Sequence, residues 1–150
     1  MMSSSASSTL PRHSFMRVVI SLFAGSTAVM IPSSHGQIAS FRNGLDDIMR
    51  EVCTHCALSA PQCRALLQTQ GLNNTRVGRA GAQALGRLFL QVRALLLPLL
   101  NTTDEMQIKI IGANFPGLTA LASQYLCSPQ LALSVEAIDG RRCGTPDLAA

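Results

Sequence analysis

The chain has 150 residues, about one domain's worth and too few for a two-domain enzyme. With 47% apolar, 13% charged and 4% aromatic residues, against about 25% charged in a typical soluble domain, it is neither an acidic nor a polyampholyte disordered chain. Eleven Gly and seven Pro without period exclude collagen-like and low-complexity classes, and the net charge of +4 is not gathered into the basic stripe a nucleic-acid partner would require.

In chain order, the first feature is a targeting signal. No Asp or Glu precedes Asp46, and Arg12, His13 and Arg17 lead into the apolar run Val18 to Ile31. A basic start, a short apolar run and then small residues describe a secretory leader, and the run is short of the roughly 20 residues that span a bilayer. Cleavage is expected after Gly36, with a second option at Ser26-Thr27-Ala28. Residues 1–36 are thus read as a signal peptide, 37–143 as the folded domain and 144–150 as a disordered tail. The mature chain keeps ten basic and eight acidic residues, a net charge of about +2. The Ser-rich, acid-free start also fits a mitochondrial or plastid transit peptide, which is the alternative destination.

Beyond the leader, helical spacing dominates. Asn43 is placed as an N-cap, with Asp46 and Asp47 in the first turn and Leu45, Ile48, Met49, Val52 and Cys56 as one stripe. Ser59-Ala60-Pro61-Gln62 reads as a capping box opening a second helix, with Cys63, Leu66 and Leu67 inward and a stop at Gly71. A third, strongly amphipathic helix buries Leu85, Leu88, Phe89, Val92, Leu95, Leu96 and Leu99 and ends between Pro98 and Asn101. Thr102-Thr103-Asp104-Glu105 reads as a further capping box, opening a helix through Met106, Ile110 and Ala113. That helix breaks at Asn114-Phe115-Pro116-Gly117 and resumes through Leu118, Leu121, Ala122, Tyr125 and Leu126. Ser128-Pro129 starts a last helix through Leu131, Val135 and Ile138. The run Gln107 to Ile111 also alternates as a strand would, but no partner strand is evident. The expected fold is all-α: a small disulfide-stabilised bundle of four or five helices.

The five cysteines, Cys53, Cys56, Cys63, Cys127 and Cys143, read in an exported chain as a disulfide framework. Their odd number leaves one thiol for a covalent homodimer. Asn73 and Asn101 stand in glycosylation sequons. Cys53-Thr54-His55-Cys56 is the one chemically suggestive motif, yet it falls late in a helix rather than at the N-terminus that would activate its first thiol. Cys53, His55, Cys56 and Cys63 lack the second ligand pair of a zinc ribbon, so no metal is expected. No catalytic set emerges: after the leader His55 is the sole histidine, and the paired acids sit in first turns where capping explains them.

The functional expectation is a secreted, glycosylated, non-enzymatic helical protein without a cofactor, a cytokine-like or growth-factor-like ligand or an effector that binds a receptor or host protein. Arg76, Arg79, Arg87 and Arg93 are its candidate interface, because Arg is enriched at such surfaces. The alternative is a lipid or apolar-ligand carrier with a cavity between Leu88, Phe89, Val92, Ile110 and Leu121. A third reading is a C-x-x-C thiol-redox protein of an organelle.

Overall fold

The structure is a computed structural model that describes residues 13–32, 36–73 and 75–138. Its elements are β1 (His13–Leu22), β2 (Thr27–Ile31), β3 (Gly36–Phe41), α1 (Leu45–Cys56), α2 (Ala60–Thr69), α3 (Arg76–Thr102), β4 (Thr103–Ile111), α4 (Leu118–Leu126) and β5 (Ala132–Ile138). The strands form a single five-stranded sheet in the order β3-β2-β1-β4-β5. β1, β2 and β3 make an antiparallel meander, whereas β4 and β5 run parallel to β1. The fold is therefore mixed α/β and not the all-α bundle expected from the sequence.

The physical reason lies in the segment read as a leader. Val18, Ile20, Leu22, Val29 and Ile31 are between 0 and 3% exposed, so this apolar run is the middle of the core. A short apolar stretch bounded by turns has the same composition whether it is an export signal or a buried strand. Cleavage after Gly36 would remove β1 and β2 from the sheet. Once β1 is recognised, β4 acquires the partner it lacked: Val18 pairs with Ile108 and Ile20 with Ile110. The next rung continues into β5, where Ile108 meets Val135 and Ile110 meets Ala137. The Thr102 to Glu105 capping box is likewise corrected, because α3 passes at Thr103 directly into β4. Leu131, Val135 and Ile138 fit helical steps, but Leu133, Val135 and Ala137 alternate as a strand does, and pairing with β4 decides for the strand.

The first three helices follow their sequence signals. All five apolar positions of α1 are buried, although Gly44 takes the N-cap place assigned to Asn43. Ser59 caps α2, with Gln62 bonded back to it and Cys63 and Leu67 buried. α3 continues through Pro98 to Thr102 and contributes Leu85, Leu88, Phe89, Val92 and Leu96 to the core. It is also the one described helix long and apolar enough to cross a membrane by length and composition, with 44% of its 18-residue apolar stretch buried inside the protein.

The disulfide framework is corrected too. Cys53, Cys56, Cys63 and Cys127 are all free thiols, and Cys143, like the expected tail, lies outside the described residues.

Candidate functional site

In an open α/β sheet, ligands and partners meet the crevice beyond the carboxyl ends of the parallel strands. Two connections of this chain converge there: the β1–β2 turn, Phe23 to Ser26, and the β4–α4 loop, Gly112 to Gly117. Both are shaped by close backbone approach. Gly112 has φ +114°, and a Cβ there would come 2.3 Å from the Leu22 carbonyl oxygen, while its amide donates to the Ile138 carbonyl. The loop is held from above by the Leu72 amide, which donates to the Pro116 carbonyl at 2.9 Å.

The β1–β2 turn is docked onto the start of α1. The Leu45 amide donates to the Phe23 carbonyl at 2.9 Å and the Asp46 amide to the Ala24 carbonyl at 2.8 Å. The Asp47 amide donates back to the Gly44 carbonyl, and the Gly44 amide donates to the Asp47 carboxylate. That last bond, followed by Arg50, holds the Asp47 carboxyl below its ordinary pKa. Gly44 is required at this junction, since a Cβ would lie within 2.6 Å of the Ser26 nitrogen and of the Phe23 and Ala24 carbonyl oxygens. Buried Thr27 completes the joint by donating its hydroxyl to the Asn43 carbonyl. Phe23 itself is left 55% exposed.

Beside the turn lies a crevice of about 450 Å³, walled by Leu45, by Arg64 and Gln68 of α2, and by the loop from Gly112 to Phe115. It offers one guanidinium, the amides of Gln68 and Asn114, and an apolar wall from Leu45 and Phe115. That set can orient a bound group through hydrogen bonds but supplies no nucleophile or general base. Among the described residues, no three His, Cys, Asp or Glu side chains are placed to hold a metal ion.

The residues singled out from sequence are dispersed. Cys53 and Cys56 are on α1 and face α2, where Cys63 is fully buried. Burial foremost, then the Cys53 sulfur, pushes the Cys63 thiol up to about 11. The exposed Cys127 donates to the Gln124 carbonyl. Of the four arginines read as one interface, Arg76 and Arg79 share a groove with His55, Arg87 forms an ion pair with Glu51, and Arg93 lies further along α3. Asn73 is exposed, but its amide nitrogen donates to the Gln70 carbonyl and its oxygen accepts from Thr75. Asn101 accepts from Ser128. Leu88, Phe89, Val92 and Ile110, read as walls of a ligand cavity, are packed in the core at 0% exposure; Leu121 instead borders the groove.

Phe23, Arg64, Gln68 and the Gly112 loop were not singled out from sequence. A signal for the first existed: two apolar runs separated by Phe23-Ala24-Gly25-Ser26 have the form of a hairpin.

No family model matches the chain, and no curated protein matches it in sequence. Solved structures do match in fold. One is the PilM-PilN type IV pilus biogenesis complex, with a TM-score of 0.60 and 16% identity over 87% of this chain and 37% of that one. Another is the ethanolamine utilization protein EutJ from Carboxydothermus hydrogenoformans, with a TM-score of 0.59 and 12% identity over 79% of this chain and 44% of that one. Both share the mixed α/β, actin-like fold, which overturns the bundle reading. The chain spans less than half the length of either neighbour, and at these identities the likeness establishes the fold alone.

Proposed function

We propose that this chain is a non-hydrolytic binding module, a lobe of actin-like fold that acts by contact with a protein partner. The observation that carries this reading is the closure of the α1 N-terminus by the β1–β2 turn. Free amides at a helix N-terminus beside such a crevice form an anion site. Here the first-turn amides donate to Phe23, Ala24 and Gly44 carbonyls, so a phosphate at that point would have to displace three backbone bonds. The Asp47 carboxylate is engaged by Gly44 and Arg50.

What the turn presents outward is an aromatic side chain. Phe23 is 55% exposed on the turn whose carbonyl accepts from Leu45, and aromatic residues are enriched where proteins meet. Leu90 and Leu97, at 51% and 39% exposure on α3, add a second apolar surface. The PilM-PilN complex, a fold neighbour, is itself an assembly of two proteins.

The test combines turnover with contact. A photoreactive residue replaces Gly25, where an added side chain meets nothing within 4 Å. In source cells it should yield an adduct of one size that is lost on adding Phe23→Ser, and the purified protein should show no Mg-ATP hydrolysis above buffer. Saturable hydrolysis, or an adduct indifferent to Phe23, would contradict the proposal.

A further inference from the structure

The crevice beside the β1–β2 turn carries hydrogen-bond donors that the fold leaves unused. Its walls are Leu45, Arg64, Gln68 and the loop from Gly112 to Phe115. Backbone bonds fix that loop at both ends. The Gly112 amide donates to the Ile138 carbonyl, the Leu118 amide to the Phe115 carbonyl at 3.0 Å and the Leu72 amide to the Pro116 carbonyl. Between them, the amides of Ala113, Asn114 and Phe115 donate to no group among the described residues. Ala113 and Phe115 are nevertheless only 6% and 4% exposed. Nearly all buried backbone amides are paired, and successive free amides in a loop are the material of an anion-binding nest.

Charge points the same way. Arg64 makes no ion pair or hydrogen bond among the described residues, and no acidic side chain lines the crevice. Asp46 shares an adjoining cavity with Arg64 but is not paired with it. Gln68 follows Arg64 by one turn of α2, so the two stand on the same helix face, and Leu45 and Phe115 supply an apolar wall.

We infer that this crevice binds a peptide carboxylate of the protein partner, held by the Arg64 guanidinium and the amides of the Ala113–Phe115 loop, with the carbon chain leading to it against Leu45 and Phe115. The inference rests on the protein-contact reading above: Leu45, whose amide bonds the Phe23 carbonyl, joins the crevice to the turn that carries Phe23. A planar carboxylate accepts two parallel bonds from a guanidinium. One unpaired cation also balances one negative charge, which favours a carboxylate over a phosphate dianion. An Asp or Glu side chain and a chain terminus both supply that group, and backbone nests are known to capture chain-terminal carboxylates.

Nitrogen–proton correlation spectra of the full chain read the loop amides directly. The probes are acetyl-Ala-Leu-Glu-Ala-amide, with a side-chain carboxylate, and acetyl-Ala-Leu-Ala, with a terminal one; acetyl-Ala-Leu-Gln-Ala-amide and inorganic phosphate are the comparisons. The amide protons of Ala113, Asn114 and Phe115 should move downfield and saturate with a carboxylate peptide, which should bind about tenfold more tightly than the Gln peptide. The tighter of the two carboxylate peptides identifies the source. Arg64→Gln should weaken that binding by about tenfold with an unchanged circular dichroism spectrum, since Arg64 is exposed. Arg64→Lys should recover only part of the loss, and it carries the same expectation if Arg64→Gln does not fold. Loop amides unmoved by either carboxylate peptide, equal shifts with the Gln peptide, or tighter binding of inorganic phosphate would overturn the inference. A Phe23-dependent adduct that persists beside such a result removes the carboxylate alone, whereas loss of the adduct removes the contact reading itself.

Discussion

At single residues, the backbone near the crevice decides what is tolerated. Gly112 has a left-handed φ and a carbonyl oxygen where its Cβ would stand, whereas Gly25 at the tip of the β1–β2 turn faces open space. Gly112→Ala should therefore cost more than about 2 kcal/mol, and Gly25→Ala less than about 0.5 kcal/mol; denaturant midpoints compare them directly. Equal costs would mean that the β4–α4 loop does not approach Leu22. Cys63 gives a pH signature. Its thiol is raised to about 11 from 9.0, so the folded chain holds this proton more tightly than the unfolded chain does. The contribution is complete below about pH 9 and is lost as pH rises through about 11. The natural chain should accordingly lose more stability between those values than Cys63→Val, measured by urea unfolding at each pH.

At the level of elements, helices were legible in the sequence and strands were not. Each helix in the α1–α2–α3 run carries its own apolar stripe, a local property, and the Ser59–Gln62 box and the Leu45, Ile48, Met49, Val52 spacing needed nothing else. A strand is specified by what lies beside it. Gln107 to Ile111 displayed strand alternation, but its partner Val18–Ser21 resembled an export leader because it lies in the nearly continuous apolar run Val18 to Phe23. The same cause hid the crevice, since it is lined by the loop that follows β4, a strand that was not recognised. Ile20 and Ile110 pair in register and each is fully buried. Ile20→Ala and Ile110→Ala should thus cost similar amounts, about 2 to 5 kcal/mol each, by thermal or chemical unfolding. A negligible cost at Ile20 alone would remove β1 from the fold.

For the whole molecule, the sheet arranges two kinds of surface. One face, through Ile20, Val29, Ile108 and Ile110, packs into the core with the helices. Alternate positions stand on the other face, where Phe15 is 45% exposed and Arg17 donates to Gln107. The β1–β2 turn carries the exposed Phe23, Arg64 lines the crevice beside the loop after β4, and the Arg76 groove opens at the amino end of α3. This placement is a property of topology, and so the four arginines that sequence spacing grouped together separate into a groove pair, an ion pair and a lone position along α3. The account rests throughout on β1 and β2 being structural strands in the middle of the sheet. Amide hydrogen exchange of the full-length protein from its natural source measures that most directly. The account predicts a product that retains residues 18–31, with the amides of Val18 to Leu22 protected as strongly as those of Ile108 to Ile111. A stable folded product that begins beyond Gly36, or rapid exchange confined to Val18–Ile31, would contradict it.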